Sequence, residues 1–156
     1  MKKILIIGAG AMGAAFSIPL IENGHHVTLS EPHNIKLISK LNRKKKFHPS
    51  LKINLPKKIK TKKFVPKMLN LQWNLIVVAV SSVGIEIISK YLAHLKSKTP
   101  ILVLTKGLKL DKTKRIITMS EQLNKNNNKL NISVLKGPCL AKELARKIKS
   151  YTVIGN

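Results

Sequence analysis

Apolar positions along this chain fall into two alternating rhythms. Short runs rich in Ile, Leu and Val, at residues 3–7 (KILII) and 74–80 (NLIVVAV), are the length of strands and read as strands covered on both faces. Further strands are expected at 26–30, 59–61, 100–104, 132–135 and 151–154. Between these runs the apolar residues recur at helical spacing. Met12, Ala15, Phe16 and Leu20 mark a helix over 11–23, ended by Gly24, with Pro19 expected to kink it. Helices are also expected over 34–41, 65–71, 83–95, 112–123 and 140–147. A basic loop with two prolines occupies 43–56, and a polar turn 124–131. No internal repeat is present. Strands alternating with crossover helices predict one α/β domain over residues 1–156, a Rossmann-type doubly wound and mainly parallel sheet.

The first strand runs into Gly8-Ala9-Gly10-Ala11-Met12-Gly13, a G-x-G-x-x-G that opens the first helix. In that context Gly8 permits the tight turn, Gly10 leaves room for a pyrophosphate against the backbone, and Gly13 lets helix and strand pack closely. The helix start offers N–H groups and a positive dipole end to phosphates. Glu31 closes the second predicted strand. An acid there accepts hydrogen bonds from adenosine ribose hydroxyls, which favours NAD over NADP; the plainer reading is an exposed acid at a strand end. Lys2 and Lys3 followed by an apolar run also match the grammar of a secretory signal. The dinucleotide register of the glycines opposes that reading, as does the need for this strand at the centre of the sheet.

Composition changes the picture in one respect. Thirty basic residues face six acidic ones among 156, for a net charge of +24. Only Arg43, Arg115 and Arg146 are arginine, the side chain suited to base reading and bidentate phosphate clamps. The lysines are spread along the chain, with clusters at 43–46 and 57–63, and aromatics are 4% of residues and not arrayed for base stacking. The charge reads as lysine enrichment on solvated faces, attracting polyanions non-specifically, and no specific nucleic acid is expected. A single cysteine, Cys139, rules out an internal disulfide and fits a reducing cytoplasm. No apolar run approaches the roughly 20 residues of a membrane helix, and no metal site is expected.

Ligands of such sheets collect at the carboxyl ends of the strands. There the chain carries Val80-Ser81-Ser82, Thr105-Lys106-Gly107, and Gly137-Pro138-Cys139 ahead of a helix start. Lys106 can meet a phosphate as a point charge, and the Gly137 turn offers backbone N–H groups to an anion.

The set GAGAMG, NLIVVAVSS, TKGL and KGPCLAKELA, in that order, resembles the N-terminal domain of NAD(P)-dependent glycerol-3-phosphate dehydrogenase of the soluble bacterial type. The loop 47–56 (FHPSLKINLP) is similar as well, and the resemblance covers essentially the whole chain. It implies cofactor contacts at Ala11, Met12 and Ala141, cofactor and substrate contacts at Lys106, and substrate contacts at Gly137 and position 139. The implied reaction is reversible hydride transfer between the nicotinamide of NAD or NADP and C2 of dihydroxyacetone phosphate. The product is sn-glycerol 3-phosphate, the backbone precursor of membrane phospholipids. The family carries Ser or Thr where this chain has Cys139, and a thiol is a poor donor. AVSS stands for the family's AVPS, and Ser30-Glu31-Pro32-His33 has no clear family counterpart. The family also has a second, mostly helical domain that supplies the general-acid lysine, and a homodimer is implied for the complete enzyme. No catalytic residue is expected within these 156 residues, so cofactor affinity with little turnover is the expectation for this chain alone. The NAD(P)-binding domain of a related reductase or hydroxyacid dehydrogenase, or a basic non-catalytic nucleotide- or nucleic-acid-binding module, are the alternatives.

Overall fold

In the computed structural model, residues 1–43, 45–95 and 98–156 are described. The first strand, β1 (Lys3–Ile7), presents four consecutive apolar side chains, and each is buried. Helix α1 (Ala11–Glu22) follows and runs through Pro19 as one element, with the Asn23 side chain donating to the Pro19 carbonyl at its end. Next come β2 (His26–Glu31) and α2 (Ile35–Leu41), the latter capped by Asn34, whose side chain accepts from Leu37 N–H at 2.9 Å.

A small hairpin of β3 (Phe47–His48) and β4 (Ile53–Asn54) precedes β5 (Lys60–Lys63) and a 3₁₀ turn at Pro66–Asn70. The chain then continues through β6 (Leu75–Val78), α3 (Gly84–Leu92) and β7 (Ile101–Val103). A second hairpin, β8 (Leu108–Leu110) with β9 (Ile116–Thr118), leads into α4 (Met119–Asn124). Strand β10 (Ile132–Lys136), α5 (Ala141–Ala145) and β11 (Val153–Gly155) complete the order.

The seven-stranded sheet runs β11-β10-β7-β6-β1-β2-β5. Every pairing is parallel except β10 with β11. Strand β1 lies between β2 and β6, with Ile4 opposite Val27 on one side and Leu75 on the other. Alternation along β1 divides the core. Ile4 and Ile6 pack with α1, α2 and the Leu51–Leu55 segment, whereas Leu5 and Ile7 pack with α3, α4 and the 3₁₀ turn. Residues 2–16, which match the grammar of a leader, thus hold an interior strand of the sheet and the first half of its covering helix.

Two expectations need correction. The loop 43–56 contains the β3–β4 hairpin. The helix expected over 112–123 is absent for most of that length; only Met119–Asn124 is helical. Local side-chain chemistry explains the second case. One Asp111 carboxylate oxygen accepts from the N–H groups of Thr113 and Arg115 and from the Thr113 hydroxyl. These bonds close a turn with Lys114 in the left-handed region at φ 61°, and the β-branched Ile116 and Ile117 continue as a strand. The helix begins only where Thr118 and Glu121 form a reciprocal capping box. Helices α3 and α5 are also shorter than expected, α5 ending before Lys147 at φ 61°.

Candidate functional site

The glycine loop shows why its residue types are required. Gly8 sits at φ +110°, and a Cβ there would lie 2.5 Å from the Ala79 carbonyl oxygen and 2.8 Å from Val80 N, at the end of β6. A Cβ on Gly13 would overlap the Gly8 carbonyl oxygen. Gly10 is different: a Cβ there meets nothing within 4 Å. The backbone at Gly10 is therefore open to an approaching group, and no side chain caps α1 at this residue. An open seat before an uncapped helix start, on a turn held against two strands, fits the diphosphate of a dinucleotide.

Glu31 ends β2 as expected, but its carboxylate faces the protein. It is 9% exposed. One oxygen accepts from Ala9 N–H at 2.8 Å, and the other from His33 N–H at 3.0 Å and Asn34 N–H at 3.2 Å. Across the loop, His48 of the β3–β4 hairpin places Nε2 2.9 Å from the Ala9 carbonyl oxygen. Sequence reasoning missed His48. The partner lies 39 positions away, and no periodicity or spacing marks the residue.

Beside α1, a crevice of about 210 Å³ is lined by Met12, Ala79–Ser82 and Leu104–Lys106. It brings the glycine loop together with the tips of β6 and β7. The Thr105 hydroxyl donates to the Val80 carbonyl at 2.8 Å and fixes the two tips to each other. Lys106 is exposed, with Nζ 3.4 Å from the Gly137 carbonyl oxygen. Lys136 reaches back from β10 to the Thr105 carbonyl at 3.3 Å. The strand tips thus carry two lysines, each resting on a backbone oxygen.

Gly137 adopts φ +117° and passes close to the chain before β11, where a Cβ would lie 3.0 Å from the Tyr151 carbonyl oxygen. Cys139 is 4% exposed, its sulfur 3.9 Å from the Ser150 hydroxyl, so the thiol is enclosed between the turn and that residue. Ala141 opens α5, which packs on α1. Lys147 pairs with Glu22 at 2.7 Å across the same two segments. Helix α5 has only five residues, so the expected anion seat ahead of it reduces to the Gly137 turn. No group of His, Cys, Asp and Glu able to hold a metal occurs among the described residues. Nor is any described helix long and apolar enough to cross a membrane.

Comparison with known proteins agrees with this geometry. The family profile described as "NAD-dependent glycerol-3-phosphate dehydrogenase N-terminus" matches residues 3–156. Among curated proteins, glycerol-3-phosphate dehydrogenase [NAD(P)+] of Photorhabdus laumondii is 30% identical over 154 residues, covering 97% of this chain and 44% of that protein. The Blochmanniella pennsylvanica protein of the same name is 35% identical over 148 residues, covering 92% of this chain and 41% of that one. A crystal structure of glycerol-3-phosphate dehydrogenase from Coxiella burnetii superposes with a TM-score of 0.77 at 23% identity, over 98% of this chain and 46% of that chain. The chain therefore spans less than half the length of these relatives. With the glycine cradle in dinucleotide register and the match running from Lys3 to the last residue, the chain belongs to the family of NAD-dependent glycerol-3-phosphate dehydrogenase N-terminal domains.

Proposed function

We propose that this chain forms the cofactor-binding part of an NAD(P)-dependent glycerol-3-phosphate dehydrogenase. The enzyme would interconvert dihydroxyacetone phosphate and sn-glycerol 3-phosphate in the cytoplasm and so supply the glycerol backbone of phospholipids. The observation that carries this reading is the open backbone at Gly10, framed by Gly8 and Gly13, in a chain matched by that family along almost its whole length.

Gly8, Gly10, Ala11, Met12 and Gly13 would hold the diphosphate through backbone N–H groups at the start of α1. Glu31 would stand at the adenosine side, and Ala141 would contact the cofactor as well. When bound, the nicotinamide supplies or accepts the hydride. Lys106, a flexible cation beside the 210 Å³ crevice, would face both cofactor and substrate phosphate. Gly137 would present backbone to the substrate, while the enclosed Cys139 shapes that turn and offers little direct contact. No residue among these 156 is assigned as general acid. The complete enzyme would pair with a second copy and take no specific nucleic acid.

Calorimetry of the chain with NADH and NADPH tests this reading. Saturable binding of either is expected, with most affinity retained between about 50 and 200 mM salt, whereas a polyanion contact would fall by orders of magnitude. Replacing Gly10 by Val fills the open seat without meeting protein atoms near its Cβ, and abolishes binding while leaving the fold intact. Unchanged binding by that variant would refute the assignment.

A further inference from the structure

We infer that Glu31 and His48 are a pair of positioning residues that hold the phosphate loop in its binding shape before any cofactor arrives. The inference rests on reading that loop as the dinucleotide seat. Ala9, between two glycines, is the point where the loop would be freest to twist, because glycine restricts φ and ψ least. Both of its backbone groups are held. The N–H donates to Glu31 Oε2 at 2.8 Å, and the carbonyl faces His48 Nε2 at 2.9 Å. Ala9 itself is fully buried, Glu31 nearly so, and His48 is 1% exposed. The two contacts are therefore shielded from competing water.

Each anchor is itself oriented. The other Glu31 oxygen accepts from His33 and Asn34 N–H, which fixes the carboxylate plane. His48 Nδ1 accepts from Leu51 N–H at 3.3 Å. A carbonyl oxygen can only accept, so the ring proton belongs on Nε2 and His48 donates to Ala9. His48 in turn stands on the β3–β4 hairpin, held further by Lys52 N–H to the His48 carbonyl at 2.9 Å and Leu55 N–H to the Lys46 carbonyl at 3.1 Å. The hairpin thus reaches across the α1 side of the sheet and ends on the loop. The clamp sets ψ of Ala9 and the approach into Gly10, and so the direction of the first N–H groups of α1. A loop already ordered loses less freedom on binding.

Two substitutions separate this role from simple packing. His48→Leu fills a similar space without a donor, whereas His48→Gln keeps an N–H in reach. Glu31→Gln places one amide N–H against a backbone donor whichever way it turns. NADH affinity should fall between about threefold and tenfold in His48→Leu and recover to within about twofold in His48→Gln. Glu31→Gln should fall at least as far, and the double variant Glu31→Gln/His48→Leu by less than the product of the two, because both act through Ala9.

Amide exchange at Ala9 gives the second readout, in the absence of cofactor. It should quicken in Glu31→Gln and His48→Leu while exchange in β7 stays as in the parent chain. The inference is overturned if Ala9 exchange stays unchanged in both variants, or if the parent binds NADH and His48→Leu binds it equally well. A parent chain that binds no NADH, yet shows clamp-dependent protection at Ala9, would keep the clamp and remove the dinucleotide assignment. Should His48→Leu fail to fold, Glu31→Gln and His48→Gln still decide the matter by the same exchange measurement.

Discussion

Lys106 Nζ lies 3.4 Å from the carbonyl oxygen of Gly137, so the cation at the tip of β7 rests on the turn that follows β10. The two residues are 31 positions apart, and the parallel pairing of β7 with β10 brings them together. A flexible ammonium group parked on a neutral carbonyl gives up little on leaving it, so the proposed phosphate contact would cost Lys106 little. Lys106→Met should therefore lower NADH affinity by about tenfold or more, the scale of one charge-assisted hydrogen bond. Because the side chain is exposed, the unfolding free energy should stay within about 0.5 kcal/mol of the parent. Calorimetry and urea unfolding of the same variant measure both quantities.

The glycines of the loop differ in what they tolerate. Gly8→Ala must accept φ +110° and a Cβ set against the Ala79 carbonyl, and should cost at least roughly 1–3 kcal/mol of stability. Gly10→Ala, facing open space at an ordinary backbone angle, should unfold within about 0.5 kcal/mol of the parent. Denaturant unfolding of the pair checks this, and equal losses would contradict the different roles assigned to the two positions.

The central place of β1 makes a further expectation. Ile6 is fully buried, on the α1 side of the sheet. Ile6→Ala should destabilise by about 2–5 kcal/mol. A chain beginning at residue 16 lacks both β1 and the start of α1, and should show no cooperative thermal transition by circular dichroism.

The capping box at the start of α4 gives a pH dependence. Hydrogen bonds from the Thr118 backbone N–H and hydroxyl hold the Glu121 carboxyl below the ordinary glutamate value. A carboxylate whose value is depressed by folding stabilises the fold fully above its unfolded value, and that stability is lost as pH falls through the lower folded value. Acidification below about pH 4.3 should therefore loosen α4 progressively. Thr118→Ala should lower Tm by roughly 2–4 °C at pH 7 and make the β9–α4 amides less sensitive to acid. Amide exchange across residues 116–124 at several pH values is the measurement.

Much of this architecture was legible from local pattern, because its signals involve neighbours along the chain. A short Ile- and Val-rich run between turn residues has little choice but to be a buried strand. The strand, G-x-G-x-x-G and helix order fixes a loop geometry within a dozen residues. The strands at 3–7, 26–30 and 74–80 and the helix at 11–23 appear within a residue or two of the expected bounds, apart from the tip of β6. Residues 112–123 misled because Ile116, Ile117, Met119 and Leu123 suit a helical face, while three bonds to Asp111 reward a turn instead.

The rest depended on contacts between distant segments. Glu31 was read from the sequence as a ribose acceptor, and only the fold shows that its carboxylate also accepts from the Ala9, His33 and Asn34 N–H groups. Cys139 was placed among substrate contacts, yet the approach of Ser150 encloses it. His48 lay in the loop 47–56 that resembles the family but had no role there, and becomes an anchor only once a hairpin carries it to a carbonyl 39 positions away. Strands and helices arise from periodicity, which a linear chain displays. Which side chain closes over a loop depends on packing among elements far apart in the chain, and that information exists only after folding brings them together.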